Sequence, residues 1–285
     1  MPNKKLLYYI LVISIFSQSC ALKKEEDFSS SYKSEGYKLV WNDEFNKDGM
    51  PNPENWDYEN GFIRNQELQW YQKENAICAN GKLIIEARKE QRLNPLYLEG
   101  SKDWRKIRKH IEYTSACLIT RNLQSFQFGR FEMRGKIDVS SGLWPAFWTL
   151  GVNGNWPANG EIDVMEYYKG NLLANIASLG AAGKPKWFSN TKSINSLGGE
   201  SWASEFHVWR MDWDETSISL FVDDILLNKT MLSQLKNENQ SAFHPFLQKH
   251  YILFDLAMGG LNGGDLGDTK FPNRMEIDYV RVYQK

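Results

Sequence analysis

Apolar and polar residues alternate with a period of two over several stretches of the chain. Phe131, Met133, Gly135 and Ile137 interleave with Arg130, Glu132, Arg134 and Lys136, and Ile218, Leu220 and Val222 interleave with Ser217, Ser219 and Phe221. Successive strand side chains point to opposite faces, so each stretch reads as a strand with one buried face. Leu83 to Ala87, Tyr251 to Phe254 and Ile277 to Tyr283 are further short runs of β-forming residues, separated by Gly, Asn, Asp and Pro turns. Helical periodicity is confined to Met231–Asn237, where a short helix is expected. Many short strands without alternating helices predict an all-β domain, a β-sandwich jelly roll of two antiparallel sheets.

The first residues follow a different rule. Lys4 and Lys5 precede an apolar run from Leu6 to Phe16, too short to span a bilayer as a folded helix and laid out like a secretory signal. The run ends in Phe16-Ser17-Gln18-Ser19-Cys20, which resembles a bacterial lipobox with Ser17 where Leu is usual. The resemblance implies a lipoprotein signal peptide over residues 1–19 and lipidation of Cys20. Residues 20–36, with a Lys-Lys-Glu-Glu-Asp run and a serine cluster, carry too little apolar matter to fold and read as a flexible tether. The folded domain is expected over 37–285. The chain is therefore expected outside the cytoplasm, anchored by lipid to the outer membrane and exposed at the cell surface.

Composition narrows the classes. With 34 basic and 35 acidic residues the net charge is −1, which gives no long-range field to attract nucleic acid or an acidic membrane. Membrane contact is expected through the lipid anchor alone, and a monomer is expected. The 11 Trp, 13 Tyr and 15 Phe exceed the ordinary need of one core, and exposed aromatic faces are platforms for the apolar faces of sugar rings. After Cys20 only Cys78 and Cys117 remain, too few for a disulfide scaffold, and their pairing is not readable from sequence.

The segment Gly160-Glu161-Ile162-Asp163-Val164-Met165-Glu166-Tyr167 places three acids on an otherwise apolar strand. In a regular strand Glu161 and Asp163 share a face and Glu166 points away. One extra residue, a β-bulge at Val164-Met165, would bring Glu166 back to that face, and bulges recur beside active sites. Three carboxylates on one face raise one another's pKa, so at least one stays protonated near neutral pH. An ionised and a protonated carboxyl ~5–5.5 Å apart would serve as nucleophile and general acid of a retaining glycosidase. An acidic edge strand or a cation site is the plainer alternative.

This segment resembles the Glu-x-Asp-x-x-Glu signature of glycoside hydrolase family 16. The resemblance extends through Leu39 to Phe45, Asn65 to Tyr71, Phe128 to Arg134, Gly142 to Gly151, Ala257 to Gly260 and Ile277 to Tyr283, in the family's order. It implies a jelly roll with an open substrate cleft across one sheet, and endo-type cleavage of β-linked polysaccharide with retention. Residue by residue it implies Glu161 as nucleophile, Asp163 as the assisting acid and Glu166 as acid/base. The spacing looks like the branch with laminarinases, agarases and carrageenases, so β-1,3-glucan or mixed β-1,3/1,4-glucan is the expected substrate. The alternatives are a galactan hydrolase of the agarase, carrageenase or porphyranase type, a transglycosylase, and a non-catalytic surface glycan-binding lipoprotein.

Trp144 and Trp148 match the family's cleft aromatics, Asn65 a substrate-contacting Asn, and Trp156 stands near enough to serve a neighbouring subsite. Asn65, Glu67, Gln69 and Tyr71 share strand parity and are expected as a polar row on the cleft face. The resemblance also implies a possible structural calcium, with Glu44 and Asp278 as the matching acids, although calcium needs six or more oxygens. Catalysis requires no cofactor. His110, His207, His244 and His250 lack zinc-ligand spacing, and Gly259–Gly264 lacks the Lys-Ser/Thr ending of a phosphate loop.

Overall fold

A computed structural model of the protein describes residues 29–238 and 242–285. The expected signal peptide and Cys20 lie outside the described residues. The strands are β1 (Lys38–Asp43), β2 (Asp57–Tyr58), β3 (Gln69–Tyr71), β4 (Ala76–Cys78), β5 (Leu83–Leu93), β6 (His110–Ser115), β7 (Cys117–Ile119), β8 (Gly129–Lys136) and β9 (Leu143–Gly151). They continue as β10 (Glu161–Tyr168), β11 (Asn171–Leu179), β12 (Pro185–Ser193), β13 (His207–Trp213), β14 (Ser217–Val222), β15 (Ile225–Met231), β16 (His250–Met258) and β17 (Asn273–Gln284).

These form a ten-stranded sheet, ordered β15-β14-β13-β8-β17-β5-β6-β3 with β1 and β4 beside β17 and β5, and a seven-stranded sheet, ordered β12-β11-β10-β9-β16-β7-β2. Pairing is antiparallel except between β3 and β6. The period-two pattern decides which side chains lie between the sheets. Phe131 and Met133 of β8 and Trp209 and Met211 of β13 share one buried cluster with Phe147 of β9, Ile162, Val164 and Met165 of β10, and Ile252 and Phe254 of β16. Each such side chain contributes about 1.5–3 kcal/mol by leaving water. This is the expected two-sheet jelly roll.

Three local expectations change. The helix expected over Met231–Asn237 is a single 3-10 turn, Leu232–Gln234, because Leu235 is drawn into the core after three residues. The expected tether is folded from Ser29 onward: a one-turn helix, Ser29–Ser34, brings Tyr32 onto the outer face of the ten-stranded sheet. There the Tyr32 hydroxyl donates to Glu132 Oε1 at 2.5 Å and its ring lies 4.4 Å from the Arg130 guanidinium. A run poor in apolar residues thus docks through one amphipathic ring and buried charge.

The third change concerns calcium. Glu44 accepts a two-pronged bond from Arg281, at 2.8 and 2.7 Å, and Asp278, the extra residue of a bulge in β17, accepts from Arg134 at 2.6 Å. Both carboxylates are committed to separate arginines, and no group of metal-ligating side chains occurs among the described residues. These residues do not fit a calcium site, and the pair Glu44 and Asp278 is better described as two ion pairs on the ten-stranded sheet.

Cys78 and Cys117 are free and buried, one in each sheet.

Candidate active site

A cleft of about 760 Å³ crosses the outer face of the seven-stranded sheet, and both Glu161 and Glu166 line it. Along β10, Ile162, Val164, Met165 and Tyr167 enter the core while Glu161, Asp163, Glu166 and Tyr168 take the other side. The switch of parity falls where the sequence places it. Asp163 pairs with Asn175 and Trp148 on its two neighbours, Glu166 pairs with Leu173 and Ala146, and the register slips between them. Two consecutive apolar side chains, Val164 and Met165, point inward, and this bulge keeps all three acids on one face.

Both glutamates are held by donors. The Trp144 indole N–H donates to Glu166 Oε1 at 2.7 Å and the Asn175 amide to Oε2 at 2.9 Å. The Trp156 indole N–H donates to Glu161. Asp163 lies fully buried between them, and its Oδ2 has no donor among the described residues. The Asp163 carboxyl also interacts with that of Glu161 beside it, an interaction that favours a proton on Asp163.

The electrostatics agree. Burial, reinforced by the charges of Glu161 and Glu166, pushes Asp163 well above the usual carboxyl range. Burial also raises Glu166 to about 8, with Trp144 and Asn175 opposing and Glu161 and Asp255 adding. Burial raises Glu161 less one-sidedly, because the Trp156 bond, the Asp163 bond and the Arg64 charge favour its ionised form. All three carboxyls are thus pushed toward their protonated forms, and Glu161 is the one with the most neighbours favouring its charge.

Around this centre the structure sorts the expected binding residues. Trp144, Trp148, Trp156 and Asn65 all line the cleft. Trp144 and Trp148 are only 6% and 7% exposed, however, and the Trp148 N–H is bound to Asp255 Oδ1 at 2.6 Å. A guanidinium, Arg64, lies 5.0 Å from the Trp148 ring. These two indoles are wall and floor more than open platforms. Trp156 is 51% exposed.

The expected polar row is corrected. Asn65 and Gln66 have left-handed backbone, φ 52° each, so no strand parity runs through them. Asn65 faces the cleft, whereas Glu67, Gln69 and Tyr71 are buried beneath it as a network. Gln69 donates to Glu67 at 2.7 Å, Tyr71 donates to Asp255 at 2.9 Å, and burial raises Glu67 to about 7 and Asp255 to about 6.

Several lining residues escaped the sequence reading: Glu59, Arg64, Tyr168, Asn175, Trp187 and Asn262. Arg64 and Glu59 form an ion pair in the cleft wall. Burial opposes the Arg64 charge, but the carboxylates of Glu59 and Asp255 counter it and keep the guanidinium charged. Asn262 arrives on the turn after β16, where Gly260 abuts Asn65: a Cβ there would stand 2.6 Å from the Asn65 carbonyl oxygen. The glycine run is thus a close-packed corner of the cleft. Parity of Asn175 with the acid strand was a usable signal for that residue; nothing local marks the others.

The sequence model described as Glycosyl hydrolases family 16 matches residues 64–281, three quarters of the chain and all three acids. The chain belongs to glycosyl hydrolase family 16. This member is 36% identical to a beta-glucanase of Rhodothermus marinus over 276 residues, 89% of this chain and 87% of that one. It is 31% identical to glucan endo-1,3-beta-glucosidase A1 of Niallia circulans, but there it spans only 38% of the relative's length. Among solved structures, the laminarinase catalytic domain of Thermotoga maritima superposes with a TM-score of 0.72 at 31% identity, covering 87% of this chain and 98% of that one. A chain described under "Prominent members of the human gut microbiota express endo-acting O-glycanases to initiate mucin breakdown" reaches 0.78 at 34% identity, covering 87% and 91%. The fold, the family and the class of glycoside hydrolase follow from these matches. No cofactor is needed for the chemistry of this family.

Proposed function

We propose that this glycoside hydrolase is a retaining endo-β-glucanase that cleaves β-1,3- or mixed β-1,3/1,4-glucan. One observation carries the reading: the bulge in β10 sets Glu161, Asp163 and Glu166 on one face of an open cleft with their protons unequally shared. Glu161, ionised, attacks the anomeric carbon while Glu166, protonated, gives its proton to the leaving glycosidic oxygen. Asp163, protonated, orients Glu161 beside it. Water then enters, Glu166 takes its proton, and the glycosyl bond to Glu161 breaks with net retention. The glucan assignment draws on the beta-glucanase and laminarinase relatives.

Glu161→Gln and Glu166→Gln are each expected to lose at least about 10³-fold in kcat on laminarin while still binding it, read by reducing-sugar release and affinity electrophoresis. Ordinary turnover by either variant would end the assignment. A second reading is favoured by the O-glycanase structure with its TM-score of 0.78: the same machinery acting within mucin O-glycans. Activity on mucin glycans with silence on laminarin and mixed-linkage glucan would select it.

We place the enzyme outside the cytoplasm, held at the outer membrane by lipid on Cys20, a reading supported by the lipobox-like run before it. Membrane fractionation of Cys20→Ala tests this.

A further inference from the structure

Two indole faces in the cleft stand open to solvent. Trp156 is 51% and Trp187 44% exposed, against 6% and 7% for Trp144 and Trp148. Among the described residues neither Trp156 nor Trp187 has an aromatic or cationic partner over its ring, whereas Trp144 packs edge-on against Tyr168 and Trp148 lies under Arg64. Leaving a large indole exposed on a sheet edge forfeits burial and invites edge-to-edge association. Trp187 sits on such an edge, β12, the last strand of the seven-stranded sheet.

Register places it. Glu161 pairs with Ala177 on β11, and Ala177 pairs with Trp187 on β12, so the three stand in one row across the sheet. Two inter-strand steps separate Glu161 from Trp187, roughly 10 Å of backbone spacing. The adjacent row runs Asp163, Asn175, Ser189, and its last two members line the cleft together with Trp187. Phe188, between Trp187 and Ser189, turns inward against the core, which fixes the outward aim of its neighbours.

We propose that Trp187 forms an aromatic subsite that holds a sugar ring of the substrate one site beyond the one beside Trp156, and that Trp187 determines how chain length is read. The proposal rests on the glycoside-hydrolase reading of this cleft. Trp156 bonds Glu161 and serves the site next to the reaction, whereas Trp187 lies one strand beyond the neighbour of β10 and touches none of the three acids. A stacked ring at that distance adds affinity for long substrates and nothing to bond breaking.

The test is kinetics of Trp187→Ala and Trp187→Phe on laminarin and on laminari-oligosaccharides of increasing length. For Trp187→Ala, KM on laminarin and the long oligosaccharides is expected to rise roughly 10-fold with kcat kept, and kcat/KM on the shortest cleaved oligosaccharide to stay unchanged. Trp187→Phe should recover most of the affinity. Unchanged KM at every length, or an equal loss at all lengths with a fall in kcat, would overturn the proposal. Trp187→Thr, which keeps a strand-forming residue, repeats the comparison if the alanine variant fails to fold. If the wild type cleaves no glucan, the glucan reading fails separately, and affinity electrophoresis in laminarin, mixed-linkage glucan and mucin decides the subsite. Retardation of wild type but not of Trp187→Ala supports it; equal mobility of the two in every gel sinks it.

Discussion

Glu166 shows how much one side chain's surroundings decide. Burial raises it to about 8, while the N–H of Trp144 and the amide of Asn175 stabilise its ionised form and pull the other way. A general acid must be protonated to act, so kcat/KM is expected to fall as pH rises through about 8. Trp144→Phe removes the indole donor from Glu166 Oε1, which favours the protonated form and moves that alkaline limb upward. A pH–rate profile reads both effects; a limb that stays in place in Trp144→Phe would refute the part assigned to Trp144. The spacing of Glu161, Asp163 and Glu166 was enough to place them on one face, and the family resemblance supplied their expected roles. Their proton sharing was not legible, since it depends on Trp156, Arg64 and Asp255, which reach the acids from other loops and strands.

At the scale of elements, β10 depends on its entry as much as on its bulge. Gly160 has φ +80°, and a Cβ there would stand 2.8 Å from Pro245 Cβ and 3.0 Å from the Phe246 ring. Both causes act together, the left-handed backbone and the packed neighbour. Gly160→Ala is expected to destabilise the protein by about 1–3 kcal/mol, seen as a lower denaturation midpoint, and to depress kcat by displacing Glu161. A variant with unchanged midpoint and rate would show that the turn tolerates a side chain. The bulge itself was readable because parity is a local property: Glu161 and Glu166 cannot share a face of a regular strand. The segment from Asn65 to Tyr71 misled for the same reason, since two left-handed residues break the parity that the sequence pattern implies.

For the molecule as a whole, the two outer faces of the sandwich divide the work. The cleft occupies the seven-stranded side, and the chain enters on the ten-stranded side, where Tyr32 binds Glu132 and stacks near Arg130. Cys20→Ala is expected to move the enzyme from the membrane to the soluble fraction with kcat on soluble glucan unchanged; retention in the membrane would refute the anchor. The sequence by itself determined the strand character, the two-sheet class and the placing of three acids on one face, because alternation and a short acidic motif are written within a few consecutive residues. Tertiary structure alone decided that Glu44 and Asp278 pair with separate arginines, that Glu67 and Tyr71 lie under the cleft, and that Arg64, Glu59, Trp187 and Asn262 line it. Those contacts join residues far apart in the chain, and the antiparallel register that brings them together leaves no local trace.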